Sequence, residues 1–285
     1  MKTRIALLML IISPLCSKAQ EDEYRGFSFG LRIGAYSASD TTANFYNGSG
    51  ILQSGTNYGG VRAMSIEDRI NWNPLETQYI NSYYNSSGFS FPNYFDNYAY
   101  PTAMRYSPAI ALGLDLRYRL DRYGSFVLQF LTTRIKTVDK YSVIFEGTGA
   151  QQNAQQDIRL FTVEGNEQRF QIVLGYRQGW EINEGLDFFI QPGISLTGIK
   201  VVSNKAYIAD RSYDLFIGGD NFNQTYGYVP RTATGMGAGI QTGFEFPLGT
   251  GHSADISFGL YREKMKLWDW ETNGWNKTLT ASFYY

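Results

Sequence analysis

The sequence predicts an all-β fold, a transmembrane antiparallel up-and-down β-barrel of eight strands, with ten as the alternative count. Three observations lead there. Seven segments and the last ten residues alternate apolar with small or polar side chains at a period of two, which marks strands with one apolar face. The first twenty residues read as an export signal. No later apolar run reaches the length that a membrane-spanning helix needs.

The signal is assigned to residues 1–19 and the barrel to 20–285. Lys2 and Arg4 supply the charged start, Ile5 to Ile12 the apolar stretch, and Ser17-Lys18-Ala19 the small residues of a cleavage site. Cys16 is the single cysteine, and Leu15 stands before it where a lipidation motif requires a small residue. The exported chain then has no cysteine, which excludes disulfides, thiolate metal sites and a cysteine nucleophile. A formal net charge of −1 offers no basic field for nucleic acid.

The strands follow in order. The first covers Arg25 to Tyr36, with Phe27, Phe29, Leu31, Ile33 and Ala35 on one face. The second, Ala109 to Leu120, turns through Asp121-Arg122-Tyr123-Gly124 into a third carrying Phe126, Leu128 and Phe130. The fourth presents Phe170, Ile172, Leu174 and Tyr176, and Glu181 to Gly185 leads to a fifth with Leu186, Phe188, Ile190, Ile194 and Leu196. The sixth shows Met236, Ala238, Ile240, Phe244 and Phe246, and the turn at Leu248 to His252 opens the seventh with Ala254, Ile256, Phe258 and Leu260. The last runs from Asn276 to Tyr285, with Leu279, Ala281, Phe283 and Tyr285 outward.

Connections after strands two, four and six are tight, whereas those near 37–108, 137–168, 200–233 and 264–275 are long. Short periplasmic turns and long extracellular loops are the asymmetry of outer-membrane barrels, and an even strand count keeps both termini at the turn end. Tyr141–Phe145 and Ile158–Val163 suit a hairpin that prolongs strands three and four around 151–156, and Val61–Ile66 suits a similar extension.

With the signal, the alternating strands and the ending Leu279-Thr280-Ala281-Ser282-Phe283-Tyr284-Tyr285 in view, the chain resembles the small Gram-negative outer-membrane barrels of the OmpA/OmpX-like, OmpW-like and PorT-like families. The resemblance implies an outer-membrane address. It also implies that Phe283, Tyr284 and Tyr285 form the signal read by barrel-assembly machinery.

If apolar residues face lipid, the other parity lines the lumen. It supplies Arg32, Asp115, Arg117, Arg119, Arg169, Arg177, Asp187, Glu245, Asp255 and Glu263, five charges of each sign. An eight-stranded barrel is just wide enough for its own side chains. These charges are therefore expected to pair as a solid plug, because an isolated buried ion is very costly. Gly235, Gly237, Gly239 and Gly243 bare the inner face of strand six, which suits either a tightly curved wall or a groove. Pro192 interrupts the donor ladder of strand five. A bulge is expected to absorb it, or else the wall has a lateral seam there.

His252 is the only histidine and falls in a turn at the periplasmic end, so no Ser-His or Asp-His chemistry is expected at the cell surface. Asp210, Asp214 and Asp220 lack the spacing of a calcium loop, and neither a metal nor a cofactor is expected. Tyr83, Tyr84, Tyr98 and Tyr100 in the first loop, and Trp268, Trp270 and Trp275 in the fourth, suit adaptable recognition or anchoring at the lipid interface. Arg134, Lys136, Lys200, Arg262 and Lys264 sit where strands leave the membrane, a height that suits lipopolysaccharide phosphates.

Two functional expectations result. One is a non-enzymatic, largely plugged barrel whose extracellular loops bind or assemble with envelope or secretion partners. The other is an OmpW-like transporter of small hydrophobic molecules with lateral access near Pro192. Expected partners are outer-membrane lipid and lipopolysaccharide, barrel-assembly machinery and envelope or secretion-complex proteins, with no nucleic acid.

Overall fold

The computed structural model of the protein describes residues 25–50, 65–71, 73–85, 89–90, 98–147, 157–215, 232–249, 251–267 and 270–285. The expected signal at 1–19 lies outside them. Eight strands form the wall: β1 (Gly26–Ser37), β2 (Ala109–Arg119), β3 (Gly124–Gly147), β4 (Asp157–Asn183), β5 (Leu186–Ile208), β6 (Thr232–Pro247), β7 (Ser253–Leu267) and β8 (Trp270–Tyr284). Each pairs antiparallel with its neighbours in the chain, and β8 pairs with β1 from Gly30↔Tyr284 to Ser37↔Lys277. The sheet is thus a closed ring. Three short strands, Phe89–Ser90, Tyr98–Ala99 and Arg211–Asp214, pair only with the far ends of β3 and β5 and add nothing to the circumference.

The register fixes the shape of this ring. From Phe27 it passes through Tyr118, Phe126 and Tyr176, crosses in unchanged register but without a ladder pair to Pro192, and continues through Ile240, Leu260 and Lys277 to meet β1 again at Ser37, ten residues further along. A stagger of this kind requires tilted strands, about 35–45° to the axis, and an eight-stranded ring so tilted has room inside only for side chains.

Polarity is inverted relative to a water-soluble protein. Leu31, Ile33, Ile110 and Met236 are 56, 57, 73 and 68 % exposed, whereas Arg32, Asp115, Arg117 and Glu263 are at most 5 % exposed. A wall with its aliphatic side chains outside and its ions inside matches a hydrocarbon solvent. Aromatic pairs line the outside near the tight turns: Phe27 with Tyr118 at 4.7 Å, Phe126 with Tyr176 at 5.5 Å and Phe188 with Phe244 at 5.8 Å. His252 is exposed there and stacks on Phe283 at 6.3 Å.

The turn end is built from local chemistry. The Asp121 carboxylate accepts the backbone N–H groups of Tyr123 at 2.8 Å and Gly124 at 2.6 Å. These bonds favour its ionised form and hold it below the usual carboxylate range. Between β4 and β5 the two-residue turn places Gly185 at φ 84°, a conformation that glycine adopts without steric cost.

The loop end departs from expectation. A tilted membrane strand needs about 9–11 residues, yet β3, β4 and β5 have 24, 27 and 23. The expected loop 137–168 is therefore mostly sheet, as the hairpin alternative allowed, with its tip at 148–156 outside the described residues. The start of the expected loop 200–233 is likewise β5. The expected loop 264–275 is no loop either, since β7 continues to Leu267 and β8 resumes at Trp270.

The first long connection folds. A 3-10 helix at Asp40–Tyr46 is followed by α1 (Ile66–Asn71) and α2 (Pro74–Asn85). Ile66, expected to end an extended segment, instead opens α1, and 61–64 lie outside the described residues. Ile66, Ile70, Ile80 and Met104 are buried against Tyr141, Val143, Phe145, Ala206 and Ile208 on the inner faces of β3 and β5. The projecting strands and these helices form a cap with its own apolar core.

Candidate functional site

The lumen is filled by two polar clusters stacked below the cap. In the lower one, Arg32 of β1 grips Asp115 of β2, with Nη2 to Oδ2 at 2.7 Å and Nε to Oδ1 at 3.0 Å. Arg117 reaches across the barrel to Glu245 at 2.6 Å and Asp255 at 3.5 Å. Arg177 meets the same two carboxylates at 3.2 and 2.9 Å, and Arg119 meets Glu245 at 3.1 Å. Tyr284 stands at the centre. Its hydroxyl donates to Asp115 at 2.8 Å, and its ring lies 3.8 Å from the Arg117 guanidinium carbon. Arg177 stacks over Phe189 at 3.7 Å. These buried ions are tolerated because each faces an opposite charge, although Arg117 Nε and Nη2 and Asp255 Oδ1 have no hydrogen-bond partner among the described residues.

In the upper cluster, Arg169 pairs with Glu167 at 2.5 Å and donates to Thr42 at 2.9 Å. Glu167 also accepts the hydroxyls of Tyr46 at 2.7 Å and Tyr106 at 3.1 Å. The Tyr46 ring fits against Gly165 so closely that a Cβ there would lie 2.1 Å from it. The first loop is thereby seated inside the tube. Glu263 accepts Gln171 at 2.6 Å, Asn276 at 2.7 Å and Thr197 at 2.9 Å.

The ten lumen charges expected from the sequence are all on the inner parity, but two do not join the ion pairing. Glu263 is fully buried, yet amide and hydroxyl donors hold it in place of an arginine. Asp187 is half-buried at the turn-end mouth opposite Glu245, with no ion pair among the described residues. That mouth is a cavity of about 240 Å³ lined by Arg117, Arg119, Arg177, Phe189 and Glu245 among others. It stops at the lower cluster.

Charge is also sorted along the chain. The lumen faces of β1 to β4 carry all five arginines together with Asp115 and Glu167, while those of β5 to β8 carry Asp187, Glu245, Asp255 and Glu263 and no cation. Each ion pair of Glu245 and Asp255 therefore joins the two halves.

Several members were not singled out from the sequence. Tyr284 was grouped with Phe283 and Tyr285 as a terminal aromatic signal, although it shares parity with the buried Ser282 and Thr280. Phe283 and Tyr285 do lie outside, where their rings meet at 4.8 Å. Glu167 shares parity with Arg169 and Gln171, but its position fell inside an expected loop. Tyr36 shares the inward parity of Arg32 on β1, whereas Tyr46 and Tyr106 join only through tertiary contact.

Among the described residues, neither the first loop nor an arginine side chain packs on the glycines of β6. A Cβ at Gly237 would meet Arg262 O at 2.1 Å and one at Gly239 would meet Leu260 O at 2.3 Å, so they allow close approach of β7. Pro192 faces outward without a bulge. The pairs Gly175↔Gly193 and Gln178↔Ile190 keep one register across it, and only the two positions between them are unpaired on the β4 side. On the β6 side, Pro192 lies opposite Ile240 in an unbroken ladder. A proline whose missing donor falls on one ladder costs that bond without shifting the strand. Arg177 and Gln191, joined at 3.1 Å, fill the lumen behind it.

The loop aromatics separate by role. Tyr84 packs on Phe145 at 4.9 Å beneath Arg159, and Tyr100 stacks on Tyr141 at 6.5 Å, so both belong to the cap interior. Tyr98 contributes to a short strand paired with β3. Tyr83 is 49 % exposed on α2. Trp270 and Trp275 are strand residues of β8, with Trp275 outward, and Trp268 lies outside the described residues.

No protein-family model and no curated protein matches this chain. Among solved structures it is similar to Neisserial surface protein A, at 8 % identity over 90 % of this chain and 95 % of that one, with a TM-score of 0.43. It is similar to Ail, the attachment invasion locus protein of Yersinia pestis, in complex with the heparin analogue sucrose octasulfate, at 10 % identity over 91 % and 99 % of the two chains and a TM-score of 0.35. It is also similar to the outer membrane protein OprG from Pseudomonas aeruginosa, at 8 % identity over 92 % and 97 % and a TM-score of 0.37.

Proposed function

We propose that the protein is a non-enzymatic barrel of an outer membrane, sealed along its lumen, whose extracellular cap binds or assembles with envelope or secretion partners. The observation that carries this reading is the filling of the tube. Arg117, Arg169 and Arg177 are at most 2 % exposed, and Tyr46 and the helices of the first loop close the space above them. A tube filled in this way has no continuous water path, so its exposed cap is the part available to a partner. Barrel-assembly machinery and lipopolysaccharide belong to the same reading, the first through the outward rings of Phe283 and Tyr285.

Purified protein in a planar bilayer is expected to give no steady single-channel current at any salt concentration. Openings that scale with ionic strength would overturn the seal. A photo-crosslinking residue in place of Tyr83, on the exposed side of α2, is expected to capture an envelope protein in intact cells. Capture of lipid alone would contradict the assembly role.

A second reading rests on the two unpaired positions beside Pro192, through which a small hydrophobic molecule would pass sideways between lumen and lipid. On this reading, Pro192→Val leaves folding intact and blocks uptake of such a molecule. Unchanged uptake would sink it.

A further inference from the structure

The outer surface of the wall changes from aliphatic to cationic abruptly on two adjacent strands. On β7 the outward residues run Ile256, Phe258, Leu260 and then Arg262, Lys264, Lys266, and on β8 they run Ala281, Leu279 and then Lys277, Trp275, Asn273, Glu271. Arg262 lies opposite Trp275 in the ladder, with its guanidinium carbon 5.9 Å from the ring, and Lys277 lies opposite Leu260. Among the described residues, four cations thus share one facet with a single carboxylate, Glu271, which pairs with Lys264. Lys266 and Lys277 are exposed and have no ion pair among the described residues.

The rest of the rim carries its cations more sparsely: Lys200 of β5 is exposed and without an ion pair among the described residues, but it stands between the uncharged Gln168 and Thr232. On β3 and β4, Lys136 is neutralised by Glu164 at 2.9 Å and Arg134 is held by the Asn166 side chain at 3.0 Å. The outward residues of β1 and β2 at that height, Ala35, Ser37 and Ile110, are uncharged. Of the cations read from the sequence as a ring, only those of β7 joined by Lys266 and Lys277 make a concentrated patch.

We infer that the outward facet of β7 and β8, formed by Arg262, Lys264, Lys266 and Lys277, is a binding surface for the phosphate groups of an anionic lipid of the surrounding leaflet. Its height selects that occupant. The facet begins at the pair Leu260↔Lys277, the next outward pair above Phe258↔Leu279, where hydrocarbon gives way to headgroups, and Trp275 is a residue type that settles at that boundary. Cations two residues apart on a strand are spaced by about 7 Å, which lets neighbouring headgroup phosphates be met by separate side chains. The inference rests on the membrane-spanning reading of the wall, not on a partner for the cap.

The test uses the full-length protein in detergent micelles, with lipid retention followed by native mass spectrometry. The probes are phosphatidylglycerol, a phosphorylated lipid A and, as controls, phosphatidylcholine and inorganic phosphate. The wild type is expected to retain both anionic lipids and not phosphatidylcholine. A variant with Arg262, Lys264, Lys266 and Lys277 all changed to Gln is expected to lose retention at least about tenfold, given roughly 1 kcal/mol per basic residue near an anionic surface. Changing Arg134 and Lys136 to Gln is expected to leave it intact, and the double variant Lys266→Arg/Lys277→Arg to preserve it. Equal loss from the β3 variant, or undiminished retention by the β7–β8 variant, would overturn the inference. Displacement of lipid by millimolar inorganic phosphate would overturn it in favour of a free-anion site. Heat-modifiable gel mobility reports whether each variant is a closed barrel, so failure of the facet is distinguished from failure of the fold. If the quadruple variant does not close, the single variants Lys266→Gln and Lys277→Gln carry the same test.

Discussion

The lower lumen and the cap are filled by opposite chemistry, although the same strands pass through both. Below, β4 points Arg177, Gln171 and Arg169 inward and Leu174, Ile172 and Phe170 outward; above, Val163 is buried inside while Asn166 and Glu164 face out. β3 changes in the same sense, from Gln129 inside and Phe130 outside to Tyr141 and Val143 inside and Lys136 and Lys140 outside. On β3 and β4 the parity does not change at the crossover; the solvent does, and only β5 has a bulge there, at Val202, after which its inward residues are Asn204, Ala206 and Ile208 in place of the odd-numbered series of Ile199 and Val201. Where the outside is apolar, the wall keeps its polar residues for the interior and must satisfy them there. Where the outside is aqueous, the ordinary hydrophobic core returns and can stabilise helices packed upon it.

This contrast predicts different responses to substitution. The largest effect is expected in the lower lumen. Arg117→Ala leaves Glu245 and Asp255 short of a partner and should destabilise the barrel by about 3–5 kcal/mol, read as a lower urea midpoint of the heat-modifiable form. An unchanged midpoint would show that water replaces the guanidinium. In the cap, Ile80→Ala should cost about 2–4 kcal/mol, but the loss should be local. Proteolysis is expected to cut the cap while the barrel stays closed; simultaneous loss of both would mean that they unfold as one unit.

Tyr284→Phe keeps the ring against Arg117 and removes the hydroxyl bond to Asp115, an expected loss of about 1–2 kcal/mol in the same urea assay. A loss as large as that of Arg117→Ala would make the hydroxyl, and not the ion pairs, the centre of the cluster. The smallest effect has the opposite sign. Ala209, between β5 and the strand Arg211–Asp214, has φ 55°, the only non-glycine residue with positive φ among the described residues. Ala209→Gly should stabilise the cap by about 0.5–1 kcal/mol, measured as slower proteolysis there. Faster proteolysis would contradict relief of strain.

The membrane-embedded wall was legible because two solvents impose a strict alternation on it. Leu31, Ile33, Leu112, Leu114, Ile256 and Phe258 mark the outside without help from tertiary structure. The ten charges followed from parity alone. Their pairing did not, since it depends on a stagger that no single strand records; Arg117 meets residues 128 and 138 positions away. The projecting parts of β3 and β4 were harder to read for a physical reason. Their apolar residues Tyr141, Val143, Phe145 and Val163 occupy the odd positions, while the belt uses the even ones, so the pattern breaks where the solvent changes. Trp270 and Trp275 were assigned to a loop because Asn and Thr surround them at the edge of the belt. The 3-10 helix and α2 have no strong periodic face of their own. Their places are set by particular contacts such as Tyr46 on Gly165 and Glu76 with Arg211 at 3.0 Å.

The sorting of lumen charge by chain order has a consequence for how the wall can close. A sheet of β1 to β4 rolled against its own copy would confine ten guanidinium groups with four carboxylates, and a sheet of β5 to β8 against its copy would confine carboxylates alone. Either homotypic closure leaves like charges unneutralised in a space with little water, a cost of several kcal/mol per ion. Separately expressed pieces 25–183 and 186–285 are therefore expected to regain heat-modifiable mobility when refolded together, and neither to do so alone. A compact species from one piece by itself would contradict this. Each half of the barrel is the counterion of the other, so the interior specifies heterotypic closure as firmly as the hydrogen-bonded edges of β1 and β8 do.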